Sequence, residues 1–140
     1  MKKLKKIMLV CLSMILMMSF VAIPVQAAVA DDTVAPCWDN TAMIELTLSF
    51  PEEGTGCADA FVAGLPGTTK IEASVCIYRK SGLLWRYVTE EHTTINAMTG
   101  VLNCTFDATQ GTDYKATYTF TVTRNGTNET ITKTQYRTYE

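Results

Sequence analysis

The segment that decides the fold lies at residues 114–126 and reads YKATYTFTVTRNG. Its aromatic and aliphatic residues alternate with lysine and threonine, which is the period of a β-strand buried on one face only. Asn125-Gly126 follows, and both residue types accept the left-handed backbone of a two-residue type I′ hairpin turn. The return strand, residues 127–139, has Ile131 as its only aliphatic residue. The sequence therefore predicts a hairpin that ends in a polar edge strand.

Outward from this hairpin, three further alternating segments predict strands. They occupy residues 44–50, 71–77 and 100–106, with an apolar residue at most alternate positions. Residues 52–67 contain four glycines and a proline. Because glycine and proline mark turns, this stretch predicts a loop with at most one irregular edge segment.

Residues 83–91 are rich in β-forming side chains but ambiguous in phase. We expect Trp85 to face the core, because the opposite parity would bury Arg86 without a partner. With this segment the chain has six or seven strands joined by short turns, and it has no convincing amphipathic helix. This pattern is typical of an all-β, antiparallel β-sandwich, which we place at residues 42–140.

The N-terminus has the pattern of a secretory signal peptide. Four lysines within residues 2–6 precede an uncharged apolar run at residues 7–23. This run is shorter than the ~20 residues that a membrane-spanning helix needs. Pro24 and the small-residue pattern after it predict a leader helix at residues 1–27, with cleavage after Ala27 or Ala30. Residues 28–41 lack periodicity and form a lead-in tail, so we expect a secreted, extracellular protein without a membrane span in its mature form.

Removal of the leader leaves 8 basic and 14 acidic side chains, a net charge of −6. A nucleic-acid-binding protein would need a basic stripe that follows the phosphate backbone, and no such stripe is present. The sequence therefore predicts no nucleic-acid partner, and it leaves the oligomeric state open.

The end of the chain resembles a known family. Gly111-Thr112-Asp113-Tyr114, followed by an alternating strand, a glycine-containing hairpin and a polar last strand, resembles the final two strands of fibronectin type III and related immunoglobulin-like domains. In those domains the tyrosine at the position of Tyr114 often forms a corner hydrogen bond. The whole chain also resembles small exported sandwich proteins of Gram-positive bacteria. The resemblance implies the architecture, and it implies no activity.

Four cysteines follow the leader, namely Cys37, Cys57, Cys76 and Cys104. An even number in a small exported chain predicts two disulfides rather than a metal site, and three connectivities are possible. If the strand order of the resembled sandwiches holds, strand parity opposes a Cys76–Cys104 bridge. We then favour Cys37 with Cys76 and Cys57 with Cys104, and a local Cys37–Cys57 bridge is the next alternative.

Catalytic and cofactor-binding patterns are absent from the sequence. His92 is the only histidine, and the pattern around it predicts a polar connection after a strand. The paired acidic residues at 52–53 and 90–91 would point to opposite faces of a strand and cannot flank one bond. The aspartates at 31–32, 39, 107 and 113 are explained by turns, although they leave calcium binding open. We therefore predict no enzyme activity, no cofactor and no metal ligands.

Exposed aromatic residues are the clue to a ligand. Tyr136 and Tyr139 lie on the predicted edge strand, and Tyr78 is out of phase with the core of its strand. We therefore predict that these three tyrosines bind a partner, a glycan, cell wall or protein surface, and that the protein is a secreted, non-catalytic interaction module. Edge positions make few buried contacts, so Tyr136→Ala and Tyr139→Ala are expected to leave the melting temperature nearly unchanged. The alternative is a small secreted effector such as an inhibitor or a toxin-like protein.

Overall fold

The computed structural model describes residues 37–140, which form seven antiparallel strands. The predicted leader, both predicted cleavage sites and most of the predicted lead-in tail lie outside the described residues. No helix long and apolar enough to cross a membrane occurs within residues 37–140. The strands are β1 (Thr41–Glu52), β2 (Thr55–Gly64), β3 (Thr68–Ser81), β4 (Leu84–Ile95), β5 (Thr99–Asp107), β6 (Asp113–Arg124) and β7 (Thr127–Thr138).

The strands form two sheets, one in the order β1-β2-β5 and the other in the order β4-β3-β6-β7. Alternate residues of both sheets point into one shared hydrophobic core. Burial of each large apolar side chain there contributes about 1.5–3 kcal/mol. The prediction of an all-β, sandwich-like architecture of six or seven strands is confirmed, and the number is seven. The largest fully buried side chains are Tyr114, Tyr118, Phe120, Ile71, Ile77, Val62, Val75 and Val122.

The predicted hairpin between β6 and β7 is confirmed. Asn125 and Gly126 have φ values of 50° and 80°, the left-handed conformation that a type I′ turn requires. β7 pairs only with β6 and is therefore an edge strand of its sheet. Next to it lies β1, the edge strand of the other sheet, and side chains of β7 reach its main chain. Gln135 Nε2 donates to the Leu46 carbonyl at 3.1 Å, and Arg137 Nη1 donates to the Leu48 carbonyl at 3.1 Å.

The start of the described chain is bound to β7 through Glu129. The Glu129 carboxylate accepts hydrogen bonds from the main-chain N–H groups of Asp39 and Asn40, at 2.7 and 3.0 Å, and from the Thr41 hydroxyl at 2.9 Å. Burial raises the pKa of Glu129, but these hydrogen bonds outweigh it and hold the pKa below the ordinary value. Residues 39–41 are thus fixed against the sheet.

Residues 52–67, predicted as a loop, instead contain β2, the central strand of the three-stranded sheet. The inward positions of β2 carry small residues, among them Gly56 and Ala58. A Cβ on Gly56 would come within 2.2 Å of the Phe106 ring, so this glycine makes room for an aromatic side chain rather than forming a turn. The prediction was wrong because the sequence does not distinguish a glycine that makes room for a neighbouring side chain from a glycine that forms a turn.

Trp85 was predicted to face the core, but it lies half-buried on the outer face of β4. The β3–β4 register shifts between Ile77 and Tyr78, so one extra residue of β4 reverses the parity of the strand. The burial of Arg86 that motivated the prediction does not occur, because Arg86 is exposed at the start of the strand.

Neither predicted disulfide is present, and the four described cysteines are separate thiols. Cys57 lies outward on β2, whereas Cys104 lies inward on the neighbouring β5, so their side chains point apart. Cys76 pairs with Thr117 of β6. The chain just after Cys37 is held further along β6, where the Asn40 side chain donates to the Val122 carbonyl. The pairings were wrong because they assumed that residues 71–77 form the second strand, and β2 precedes them.

Tyr114 forms the predicted corner hydrogen bond. Its hydroxyl accepts the main-chain N–H of Thr109 at 2.8 Å. The ring is almost completely buried, and its centroid lies 5.2 Å from that of Phe106 and 5.5 Å from that of Phe50. This contact closes the end of the core at which β6 begins.

Candidate functional site

One row of side chains crosses the outer face of the four-stranded sheet. Tyr87 of β4 pairs with Tyr78 of β3, Tyr78 pairs with Lys115 of β6, and Lys115 pairs with Tyr136 of β7. Paired residues in antiparallel strands point to the same face, so each strand contributes one member. Trp85 lies in the adjacent row. We call these five residues the aromatic patch.

Lys115 is at the centre of the aromatic patch. Its Nζ lies 4.3 Å from the centroid of the Tyr78 ring and 5.2 Å from that of Trp85. Cation–π contacts of this kind are worth about 0.5–1 kcal/mol at exposed sites, so they hold the lysine against the rings. Within residues 37–140, no carboxylate lies at ion-pair distance from Lys115.

The aromatic rings pack edgewise or tilted and leave ring surface open to solvent. The Trp85 and Tyr136 centroids are 5.7 Å apart with the rings tilted by 54°, and those of Tyr78 and Tyr87 are 6.2 Å apart and T-shaped. Tyr87 is 60% exposed and Tyr136 is 67% exposed. Three strand spacings separate the main chains at these two residues, roughly 14 Å, so the aromatic patch extends across the whole width of the sheet.

Polar groups and a cleft border the aromatic patch at β7. Lys80 forms an ion pair with Asp113 at 3.4 Å, and the Thr138 hydroxyl donates to the same carboxylate at 2.8 Å. The hydrogen bonds from Thr138 and Lys80 lower the pKa of Asp113. A cleft of about 350 Å³ lies here, lined in part by Lys80, Trp85, Asp113 and Tyr136. Polar atoms beside exposed rings can hold the hydroxyl groups of a ligand that stacks on the rings.

A ladder of threonines continues the same outer face beyond the aromatic patch. Hydroxyl oxygens face each other across β6 and β7 at 3.1–3.4 Å. The pairs are Thr117 with Thr134, Thr119 with Thr132, and Thr121 with Thr130. The outer face therefore combines a ring-rich end and a hydroxyl-rich end.

His92 lies within β4, not in the polar connection that the sequence predicted. It is exposed and pairs with Ser74 of β3. A shallow cleft of about 270 Å³ lies beside it, lined also by Glu72 and two threonines of the ladder. No hydrogen bond joins Ser74 and His92 in the described part of the chain.

The structure brings together two of the three predicted binding residues. Tyr78 and Tyr136 flank Lys115, whereas Tyr139 lies at the end of the sandwich and packs against the core. The Tyr139 ring stacks on Phe50 with centroids 4.6 Å apart, and its hydroxyl accepts the Gly54 N–H at 2.9 Å. The expectation that Tyr139 makes few buried contacts is wrong.

Three members of the aromatic patch were missed by sequence reasoning, namely Trp85, Tyr87 and Lys115. The hairpin turn fixes the pairing of Lys115 with Tyr136, so this contact was accessible from the sequence. Trp85 and Tyr87 were not, because the bulge in β4 reverses their phase.

The described cysteines and acidic residues do not assemble a metal centre. Among residues 37–140 no group of three or more His, Cys, Asp or Glu side chains could hold a metal ion. Burial raises the pKa of the Cys57 and Cys104 thiols, and nearby acidic groups raise it further, so neither is activated as a thiolate. The expectation of no metal and no cofactor stays a prediction.

The chain was compared with known proteins. No protein-family model matches it, and no curated protein matches it. Five chains of solved structures match. One is the crystal structure of a protein from Archaeoglobus fulgidus, which is 7% identical, covers 70% of this chain and 94% of its own, and has a TM-score of 0.37. A similarity this remote does not support any conclusion about the fold or the function of this chain.

Proposed function

We propose that this protein is a secreted, non-catalytic binding module that holds a glycan on the aromatic patch. The observation that carries the proposal is the gathering of four aromatic side chains on one outer sheet face. Two of them, Tyr87 and Tyr136, are at least 60% exposed. Exposed aromatic clusters on a soluble domain mark contact surfaces more often than scattered apolar residues do.

The surroundings of the rings favour a glycan over an apolar ligand. A sugar ring offers an apolar C–H face for stacking and hydroxyl groups at its margin. Here the ring faces lie beside Lys80, Asp113 and Thr138, which supply both donors and acceptors. The clefts on this face are shallow and the sheet is broad, which suits an extended chain rather than a small enclosed molecule.

The fold type and the location belong to the same proposal. The β1-β2-β5 and β4-β3-β6-β7 sheets and the Tyr114 corner hydrogen bond support a domain of the immunoglobulin-like or fibronectin type III-like kind. The lysine-rich start and uncharged run at residues 2–23 support export. Export would place the aromatic patch in contact with glycans of a cell wall or cell surface.

The proposal is tested by co-sedimentation with insoluble polysaccharides and cell-wall preparations. We expect the wild-type protein to bind, and the double variant Tyr87→Ala/Tyr136→Ala to lose at least tenfold in affinity, because each lost stacking contact removes about 1 kcal/mol or more. Val101→Ala is the matched control, since Val101 is 66% exposed on the outer face of the other sheet. Melting temperatures of all variants show that the fold is intact. Equal binding by wild type and double variant would refute the proposal.

A further inference from the structure

We infer that the turn between β3 and β4 docks the protein on a membrane surface that contains anionic lipids. Gly82, Leu83 and Leu84 form what we call the leucine tip. None of these three residues belongs to the aromatic patch, so the docking does not depend on the proposed glycan binding. Two exposed leucines, the basic residues behind them and the dimensions of the hairpin carry the inference.

Both leucines of the tip are open to solvent. Leu83 is 97% exposed and Leu84 is 64% exposed. The turn itself requires only Gly82, whose φ of 63° is left-handed, and Asn, Asp or Ser is common at the position that Leu83 occupies. The other two-residue hairpin turns of the described chain have Glu53-Gly54 and Asn125-Gly126 in these places. The leucines therefore serve neither the turn nor the core.

The leucine tip projects past the end of its sheet. β6 begins at Asp113, which forms an ion pair with Lys80 at 3.4 Å, so the residues beyond Lys80 have no part of β6 beside them. On its other side β4 is the edge strand of the sheet. A Cβ placed on Gly82 would meet no atom within 4 Å. The leucines can therefore reach a surface before β6 and β7 do.

Basic residues follow the leucine tip on both strands. Residues 78–89 contain Arg79, Lys80 and Arg86 and no acidic residue. Lys80 is paired with Asp113, but Arg79 and Arg86 pair directly with each other across β3 and β4, and both are exposed. Neither arginine is in an ion pair within residues 37–140, so like charges repel each other here. Lipid phosphates would relieve this repulsion, because guanidinium groups bind phosphate through paired hydrogen bonds.

The acidic residues at this end of the sandwich lie away from the hairpin. Glu52 and Glu53 are at the turn between β1 and β2, and Asp107 ends β5, so all three belong to the three-stranded sheet. Glu140 follows β7, at the far edge of the four-stranded sheet from β4. An anionic surface therefore attracts the hairpin and repels the end of the other sheet, so the domain approaches the lipid tilted onto its β3–β4 edge.

Distances along the hairpin match the layers of a lipid surface. Each residue of a strand spans about 3.4 Å, so Trp85 lies about 7 Å and Arg86 about 10 Å from Leu83. The headgroup layer of a bilayer is roughly 5–8 Å thick on each side of the hydrocarbon core. With both leucines at the edge of the hydrocarbon core, Trp85 lies where tryptophan is enriched and the arginines reach the phosphates.

The docking is tested by co-sedimentation with two kinds of vesicle, one of phosphatidylcholine alone and one of phosphatidylcholine mixed with an equal part of phosphatidylglycerol. The exported form of the protein is used, so that the apolar run at residues 7–23 does not itself bind lipid. We expect binding to the anionic vesicles that weakens with added salt, and binding to the neutral vesicles that is at least about tenfold weaker.

Leu83→Ser/Leu84→Ser removes the apolar surface of the tip. Met98→Ser/Val101→Ser is the matched control, because these side chains are 44% and 66% exposed toward the opposite end of the sandwich. We expect at least about a tenfold loss of binding to anionic vesicles for the leucine variant and none for the control. Melting temperatures of both variants should stay close to that of wild type, since all four side chains are exposed.

Arg79→Gln/Arg86→Gln removes the unpaired charges of the hairpin, and Lys70→Gln/Lys133→Gln makes the same change in net charge elsewhere. We expect the arginine variant to bind both kinds of vesicle equally weakly. The lysine variant should keep the preference for anionic vesicles.

Trp85 reports the depth of docking in a Trp38→Phe background, where it is the only tryptophan. We expect its emission to shift to shorter wavelength on anionic vesicles and to be quenched by lipids with brominated acyl chains.

Equal binding of both kinds of vesicle, no loss in the leucine variant, or an unchanged Trp85 emission overturns the inference. A dimer that Leu83→Ser/Leu84→Ser dissociates, without any vesicle binding, also overturns it in favour of a protein partner. Polysaccharide binding by the leucine variant should equal that of wild type, so the proposed function is judged separately, by Tyr87→Ala/Tyr136→Ala.

Discussion

Tyr136 and Tyr139 lie three residues apart near the end of the chain, and the structure predicts losses of stability of very different size when each is replaced. Tyr139→Ala removes the stacking on Phe50, worth about 1 kcal/mol. It removes the hydrogen bond from Gly54 N–H, worth about another 1 kcal/mol. It also exposes part of the core that the half-buried ring covers, worth about 1 kcal/mol. The expected loss in free energy of unfolding is about 3 kcal/mol.

Tyr136→Ala removes a ring that is 67% exposed. Its aromatic contact is with Trp85, in a tilted arrangement with the ring centroids 5.7 Å apart. We expect it to cost less than about 1 kcal/mol. Tyr139→Phe separates the contribution of the hydrogen bond from that of the stacking, because phenylalanine keeps the ring and lacks the hydroxyl. We expect it to lower the free energy of unfolding by about 1 kcal/mol.

The measurement is urea unfolding followed by far-ultraviolet circular dichroism, with free energies from linear extrapolation. Circular dichroism is preferred to tryptophan fluorescence, since Trp85 contacts Tyr136 directly. A Tyr139→Ala variant within about 0.5 kcal/mol of wild type, or one no less stable than Tyr136→Ala, would refute this account of the end of the sandwich.

Three further predictions follow from the packing and the charges. Gly56→Ala should cost at least about 2 kcal/mol in urea unfolding, because its Cβ would meet the ring of Phe106, which other aromatic rings hold in place. Glu129→Gln should destabilise the protein at neutral pH. Folding lowers the pKa of Glu129, so its carboxylate stabilises the folded state at pH values above the unfolded pKa. This stabilisation is lost as the pH falls through the folded pKa. The melting temperatures of variant and wild type should therefore converge in acid. In thiol titration, exposed Cys37 should react first and Cys104 only on unfolding, and simultaneous reaction would contradict the structure.

The parts of the fold that could be predicted from sequence depend on local signals. In β6 the alternation is unbroken over the whole strand, and Asn125-Gly126 fixes the pairing with β7, including Lys115 opposite Tyr136. β2 was lost because its inward residues other than Val62 are glycine and alanine, and the small size of Gly56 matters only against Phe106 on another strand. That partner lies about fifty residues away and leaves no trace in the local pattern.

The aromatic patch could likewise be predicted only in part. The pairing of Lys115 with Tyr136 follows from the hairpin turn between β6 and β7. The contact of Lys115 with Tyr78 depends instead on pairing between β3 and β6, which are distant in sequence. The remaining members depend on a bulge in β4 that moves Trp85 to the outer face. Register between distant strands and a single extra residue are decided by tertiary packing, so the complete site emerges only from the three-dimensional structure.

The hydrogen bonds from Gln135 and Arg137 to the carbonyls of β1 affect the tendency of the protein to self-associate through its strand edges. Two edge strands lie side by side at this border of the sandwich, and each would otherwise expose main-chain groups that can pair with a strand of another molecule. An amide and a guanidinium occupy the positions that an eighth strand would take, so this border is closed to recruitment by neighbouring copies. The polar composition of the last strand therefore protects this border of the sandwich against edge-to-edge polymerisation at high protein concentration.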